Sequence, residues 1–257
     1  MSILVSAANV LRCFSPDRHE LTVTEAAALL SLPKSSVSRL LRSMREVGFL
    51  ETVGASKRYR PGVLLVEAAQ IARRSSTLLS RADAVVSAIT AEFGHTTYVS
   101  ARLGQEVLAL TDHTGTNVLR VASTVGERLQ AFACATGRTL LARLDDEAVR
   151  ALYPGRLEPP SQNAPQTVND LLARLERVRR EGFAEADDEA NRGVGGIAVA
   201  VGDPETGEEV SLCVTFPVAT IDAAERTAMR QRLQEGAREI AAVLGDPLFY
   251  PKGAAAR

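Results

Sequence analysis

Residues 31–50, Ser-Leu-Pro-Lys-Ser-Ser-Val-Ser-Arg-Leu-Leu-Arg-Ser-Met-Arg-Glu-Val-Gly-Phe-Leu, constrain the fold of this chain more than any other stretch. Val37, Leu40, Leu41, Met44 and Val47 recur at helical spacing and mark one buried side. The opposite side carries Ser35, Arg39 and Arg42, flanked by Ser36, Ser38 and Ser43. A helix with a short, hydroxyl-rich, cationic outer face suits the DNA major groove. Small side chains there allow close approach, and guanidinium forks reach guanine edges or phosphates. An ordinary amphipathic helix with a solvated basic face has the same pattern, so the flanking segments weigh between the two.

Upstream, Leu21 to Leu30 reads as a short helix, with Thr22 and Glu25 in capping-box spacing and Ala26, Leu29 and Leu30 as its apolar face. Only Ser31 and Leu32 separate it from Pro33, which suits a helix start because it has no N–H to leave unsatisfied. A further helix is expected from Ser6 to Phe14. Downstream, Gly48 closes the basic helix. Phe49–Val53 and Tyr59–Arg60 then read as strands around a tip, Gly54-Ala-Ser-Lys-Arg58. Three helices and a hairpin in this order make a winged helix-turn-helix. Lys34, Ser35, Ser36, Ser38, Arg39 and Arg42 are its expected DNA-facing residues, with Lys57 and Arg58 at the wing for phosphates or a minor groove.

Charge is distributed to match. The chain has a net charge of −1, yet residues 1–61 hold nine Lys/Arg against five Asp/Glu, leaving 21 against 26 in the other 196 residues. A basic module therefore joins a mildly acidic body. At 257 residues there is room for one further domain with its own core. No apolar run long enough for a bilayer and no basic n-region appear, so a cytoplasmic protein is expected. Cys13, Cys134 and Cys213 are odd in number and far apart, which suggests neither a disulfide framework nor a zinc knot.

Past the wing, Gly62–Ser80 is an apolar-rich helix whose apolar surface exceeds what one neighbour needs, as expected of a linker that also packs in a dimer. Leu78–Phe93 forms another helix. Strands are expected at Thr96–Arg102, Glu106–His113, Val118–Val125, Phe183–Ala186, Gly196–Val201 and Val210–Phe216. Helices are expected at Gly137–Leu144, Asp146–Leu152, Val168–Glu181 and Ala223–Leu244, with a proline-rich loop from Tyr153 to Pro165. The first three strands form a meander and the last two a hairpin, so this domain is α+β with a largely antiparallel sheet.

Catalysis finds little support. No G-x-S-x-G elbow, P-loop or metal-ligand cluster appears, and Gly193-Val-Gly-Gly196 leads into a strand rather than a helix. His95 and His113 read as packed or hydrogen-bonded residues. No cofactor, metal or catalytic group is expected. A binding site has better grounds: Phe132-Ala-Cys-Ala-Thr-Gly brings small residues to a helix start whose free N–H groups suit a carboxylate or phosphate. The same small residues also suit close packing of that helix on the sheet.

Leu32-Pro-Lys-Ser-Ser-Val-Ser-Arg-Leu-Leu41, Thr136-Gly-Arg-Thr-Leu-Leu-Ala142 and Arg180-Glu-Gly-Phe183 followed by Asp188-Glu189, Gly193 and Ile197-Ala-Val resemble, in order and spacing, the isocitrate-lyase-regulator (IclR) family of bacterial transcription factors. The resemblance covers nearly the whole chain. It implies a two-domain α+β protein: a winged helix-turn-helix over 1–61, a linker and dimerisation helix over 62–80, and a GAF-like effector domain over 81–250. It further implies double-stranded operator DNA as partner, a homodimer or dimer of dimers, and a small organic effector, often a carboxylate or aromatic acid. Carried over by position, the effector pocket is lined by Leu129, Ala135, Thr136, Asp187, Asp188, Gly196, Cys213 and Thr215. The chain departs from the family pattern at Ala190, at Gly196, where a larger residue is common, and at Cys213, often a Ser. Fewer polar donors and more space imply a larger or less polar effector than a two- or three-carbon acid. The readings set against this one are an enzyme whose helix-turn-helix serves protein contacts, and a DNA- or partner-binding protein without a ligand.

Overall fold

The computed structural model describes residues 2–15, 17–54, 56–122 and 128–248. Contacts divide the chain into two units between Ser76 and Thr77.

In the first unit, α1 (Ile3–Leu11), α2 (Val23–Leu30) and α3 (Lys34–Glu46) enclose Val10, Ala26, Val37, Leu41, Met44 and Leu50. The α1 helix begins and ends three residues earlier than the expected Ser6–Phe14. The α2 helix starts on a complete capping box: Glu25 N–H donates to the Thr22 hydroxyl, and Thr22 N–H donates to the Glu25 carboxylate at 2.7 Å. Those bonds hold the Glu25 carboxyl below its ordinary value. The turn into α3 uses Ser31 in the left-handed region (φ 52°), its N–H and that of Leu32 returning to the carbonyls of Ala28 and Ala27. Gly48, at φ 84°, turns the chain out of α3, a conformation that a side chain would strain.

The wing is a three-stranded sheet in the order β1 (Leu21–Thr22), β3 (Arg58–Pro61), β2 (Leu50–Thr52). Strand β1 escaped sequence reading because its two residues show no alternation and Thr22 also caps α2. Strand β3 begins at Arg58, so that residue belongs to the strand and not to the tip. The α4 helix (Val63–Ser75) ends five residues short of the expected Ser80, where Ser76 turns extended. None of its residues is buried, and Val63, Val66 and Ile71 are 63%, 58% and 70% exposed.

The second unit is a six-stranded antiparallel sheet in the order β6-β5-β4-β9-β8-β7. Its strands are β4 (Thr96–Leu103), β5 (Glu106–His113), β6 (Arg128–Gln130), β7 (Ala184–Asp187), β8 (Val194–Asp203) and β9 (Glu208–Pro217). Period-two alternation divides the side chains between two faces. Ile197, Val199, Leu212, Val214 and Phe216 pack with Leu78, Val86 and Ile89 of α5 (Thr77–Phe93) and Met229, Leu233 and Ile240 of α9 (Ala223–Leu244). Ala198 and Cys213 belong to a cluster with α6 (Ala135–Leu141) on the other face, where α7 (Asp146–Leu152) and α8 (Val168–Glu181) join Phe132 and Tyr153 in a second core. The bounds of α7, α8 and α9 are those expected.

The expected strand Val118–Val125 is a correction. Residues 114–122 form no strand, and 123–125 lie outside the described residues. Val118 is 96% exposed and Leu119 62%, so their alternation buries nothing. This segment is tied down by side chains instead: Asn117 Nδ2 donates to Phe93 O, and Thr96 Oγ1 donates to Val121 O at 2.6 Å. The edge it vacates is taken by β6, which pairs Leu129 with Val107. Among the described residues no helix is long and apolar enough to cross a membrane.

At the far end of β8, the Arg143 guanidinium holds Asp246 through two bonds of 2.9 and 3.0 Å and Glu209 through a third of 2.7 Å. Asp246 is 1% exposed and also accepts the Gly202 N–H at 2.7 Å. Removing one partner of a buried pair leaves the other charged and unmatched. Arg143→Ala is therefore expected to cost about 3–5 kcal/mol in urea unfolding of the full chain. A loss under about 1 kcal/mol would show that Asp246 does not depend on it.

Candidate functional sites

In the first unit, burying Val37, Leu41 and Met44 forces the opposite side of α3 outward. Lys34, Ser35, Ser36, Arg39 and Arg42 are exposed there, and Ser38 is half-buried. Among the described residues, Lys34, Arg39, Arg42, Arg45 and Lys57 have no ion-pair partner within their own unit. Arg45, in the last turn, is exposed as well. Arg58 differs, since its guanidinium is 3.6 Å from Glu25 and 3.9 Å from Glu20. Such exposed pairs are weak and exchange readily for a phosphate. Arg60 is held at 2.6 Å by Glu51, its cross-strand neighbour.

In the second unit, a cavity of about 740 Å³, counting its open mouth, lies between the sheet and the start of α6. Of the residues expected around an effector, Leu129, Ala135, Thr136, Gly196, Cys213 and Thr215 line it. They arrive from β6, α6, β8 and β9, and Tyr98 and Ser100 of β4 add two hydroxyls. Gly137 allows α6 to begin there. A Cβ on it would stand 2.1 Å from the Ala131 carbonyl oxygen, so only glycine permits this approach. Cys134 caps the helix, its Sγ accepting the Gly137 N–H at 3.3 Å.

Asp187 and Asp188 are not among the residues that line the cavity. Asp187 pairs with Gly195 in the sheet, and its Oδ2 accepts from Arg226 at 2.7 Å. Asp188 is left-handed (φ 56°) and folds its carboxylate onto the Gly193 N–H of its own turn. The connection after β7 offers Glu189, Ala190 and Asn191 instead. Glu189 is 6% exposed and is gripped by Arg138 of α6, with Arg174 of α8 at 3.3 Å. Arg138 Nη2 reaches Glu189 Oε1 at 3.0 Å and the Glu185 carbonyl at 2.6 Å. This pair spans 51 residues, and its one local signal is a Gly-Arg step inside a run of small residues.

The histidines are held elsewhere, His95 Nε2 at 3.2 Å from Glu225 and His113 Nε2 at 3.0 Å from Asp83. Among the described residues no three His, Cys, Asp or Glu gather as a metal site. Burial dominates the acid–base behaviour of the cavity wall. It pushes the Cys134 thiol up to about 12 and the Cys213 thiol to about 11, and raises the Tyr98 phenol well above its usual 10.0.

Both units match known proteins. The model of the bacterial transcriptional regulator IclR C-terminal domain matches residues 71–242, and that of the IclR helix-turn-helix domain matches residues 4–54. The HTH-type transcriptional regulator XynR of Escherichia coli (strain K12) is 26% identical over 242 residues, covering 94% of this chain and 96% of that protein. Among solved structures, an IclR-type transcriptional regulator from Silicibacter sp. TM1040 superposes with a TM-score of 0.86 at 22% identity, over 97% of this chain and 100% of that one. An IclR homolog from Microbacterium hydrocarbonoxydans, complexed with 4-hydroxybenzoate, superposes with a TM-score of 0.80 at 24% identity, over 95% and 99%.

Buried thiols with raised values are neutral near pH 8 and shielded from reagents. Cys134 and Cys213 are expected to stay unreactive toward a disulfide reagent in the folded chain and to react fully in urea. The unfolded thiols ionise near their ordinary value of 9.0. The folded chain then holds more protons than the unfolded one. The stabilisation is complete below pH 9 and is lost as pH climbs toward 11 to 12. Thiol counts at pH 8 and urea midpoints between pH 8 and 10 check both statements; a midpoint that rises with pH contradicts the second.

Proposed function

The chain belongs to the IclR family of bacterial transcriptional regulators, and we propose that it binds operator DNA through α3 and the wing under control of a small organic effector. The effector occupies the cavity at the start of α6. The relatives are named as transcriptional regulators, which places the chain with DNA-binding proteins rather than enzymes. The observation that carries the DNA-reading role is the exposed face of α3. Arg39 and Arg42 stand there among short serines with no ion-pair partner among the described residues of their unit.

Arg39 and Arg42, with Ser35, Ser36 and Ser38, read base edges, while Lys34, Lys57 and Arg58 hold phosphates. A single module makes too few contacts for tight operator binding, so two or more copies act together, as a homodimer or a dimer of dimers. The uncovered apolar residues of α4, Ile71 foremost, support such pairing. The protein works in the cytoplasm, where the operator lies. For the effector, the 4-hydroxybenzoate bound to the Microbacterium homolog supports a molecule of single-ring size.

Arg39→Ala is expected to cost about 1–3 kcal/mol on operator DNA and to relax discrimination at one base position. Lys57→Ala is expected to weaken operator and random DNA alike and to make the salt dependence shallower by about one unit of slope. Footprint titrations at several salt concentrations distinguish the two behaviours. Equal loss of affinity for operator and random DNA in Arg39→Ala would remove the base-reading role.

A further inference from the structure

The reading of the cavity as the effector site is the premise here, and the chemistry of its wall narrows the effector. The described residues that line it include no Lys, Arg or His. Glu189 is the one charged residue among them, and both of its oxygens are already engaged by Arg138 and Arg174. Arg138 is 2% exposed, and its remaining reach is spent on the carbonyls of Glu185 and Phe132. A carboxylate entering the cavity gives up its hydration and meets no free cation to offset that loss. At the start of α6, the Gly137 N–H is already committed to Cys134 Sγ.

Burial also disfavours charge on the groups of the wall itself. Loss of solvation is the leading cause of the upward shift at Cys134, Cys213 and Tyr98 alike. A second, separate observation concerns Thr136, which is 1% exposed and lines the cavity. Its Oγ1 is fully buried and meets no hydrogen-bond partner among the described residues. Tyr98 and Cys213 are near neighbours of that oxygen, but not in bonding geometry with it. Buried hydroxyls are rarely left this way, and a ligand hydroxyl, carbonyl or amide supplies the missing bond.

We propose that the cavity selects an uncharged organic molecule, with an apolar body and a hydroxyl or carbonyl group bonded to Thr136, over the corresponding carboxylate. The apolar body lies against Val107, Ala109, Leu129 and Val194.

Matched probes test this on the full chain by calorimetric titration at pH 7. Methyl 4-hydroxybenzoate and 4-hydroxybenzamide are expected to bind at least about tenfold tighter than 4-hydroxybenzoate. Affinity for 4-nitrophenol, which ionises near neutral pH, is expected to fall by about tenfold per pH unit once it is anionic, with the amide unaffected over the same range. Thr136→Val is expected to weaken the amide by about fivefold. Two filling variants locate the binding. A Cβ at Gly196 makes only ordinary contacts, 3.6 Å from Thr215 and 3.7 Å from Cys213, so Gly196→Leu grows into the space, and Ala109→Leu fills it from β5. Loss of the neutral probes in both variants supports the proposal. If 4-hydroxybenzoate binds as tightly as its ester and is lost in both variants, the cavity is a ligand site but the selection for neutral molecules is wrong. Binding that survives both fillings, or no binding of any probe to the unaltered chain, overturns the cavity reading and this inference with it.

Discussion

A carboxylate and a guanidinium taken out of water together, Glu189 and Arg138, hold the cavity side of the second unit in one arrangement. Neither is tolerable alone at 6% and 2% exposure, since an unmatched buried charge costs several kcal/mol. The pair therefore fixes where α6 begins relative to the connection after β7, and Arg174 brings α8 into the same knot. Backbone sterics add to the electrostatics. Gly137 lets the first turn of α6 press on Ala131, with Arg138 held to Glu189 and Ala135 and Thr136 in the cavity wall. The α6 side of the cavity wall thus depends on that ion pair.

The first unit depends on shorter-range forces. A capping box, a left-handed serine and a left-handed glycine delimit α2 and α3 with little help from distant residues. Packing of Val37, Leu41 and Met44 then leaves the cations of α3 unmatched on the outside. Their mutual repulsion is modest in water and is relieved by a polyanion, so the same pattern that orients the helix prepares it for DNA.

What could be read from the chain follows the range of the interactions involved. The helices α7, α8 and α9 were legible to the residue, because Asp145, Thr167 and Asp222 cap them through side-chain bonds three residues long. Long strands were legible: β5 to the residue, β4 to within one residue, and β8 and β9 to within two at either end. Val118–Leu119 alternates like a strand yet finds no neighbour to pair with, while β6 is too short to show a period. At the cavity, the small residues around α6 announced a site. Asp187 and Asp188 were chosen by analogy of position, and the partners that claim them, Arg226 and the Gly193 turn, are visible only in three dimensions. Glu189 was missed for the same reason, since its partner in α6 is 51 residues away.

Two adjacent glycines of β8 differ in what their surroundings admit. At Gly195 a Cβ would lie 2.3 Å from the Phe216 ring, so nothing larger is admitted without disturbing the core. At Gly196, one step along the strand and on the opposite face, a Cβ touches Thr215 and Cys213 only at ordinary contact distance. Heredity can therefore write on the second position while the first remains closed to it. On the proposed reading of the cavity, a side chain at Gly196 alters the space offered to a ligand while leaving the packing around Phe216 as it is.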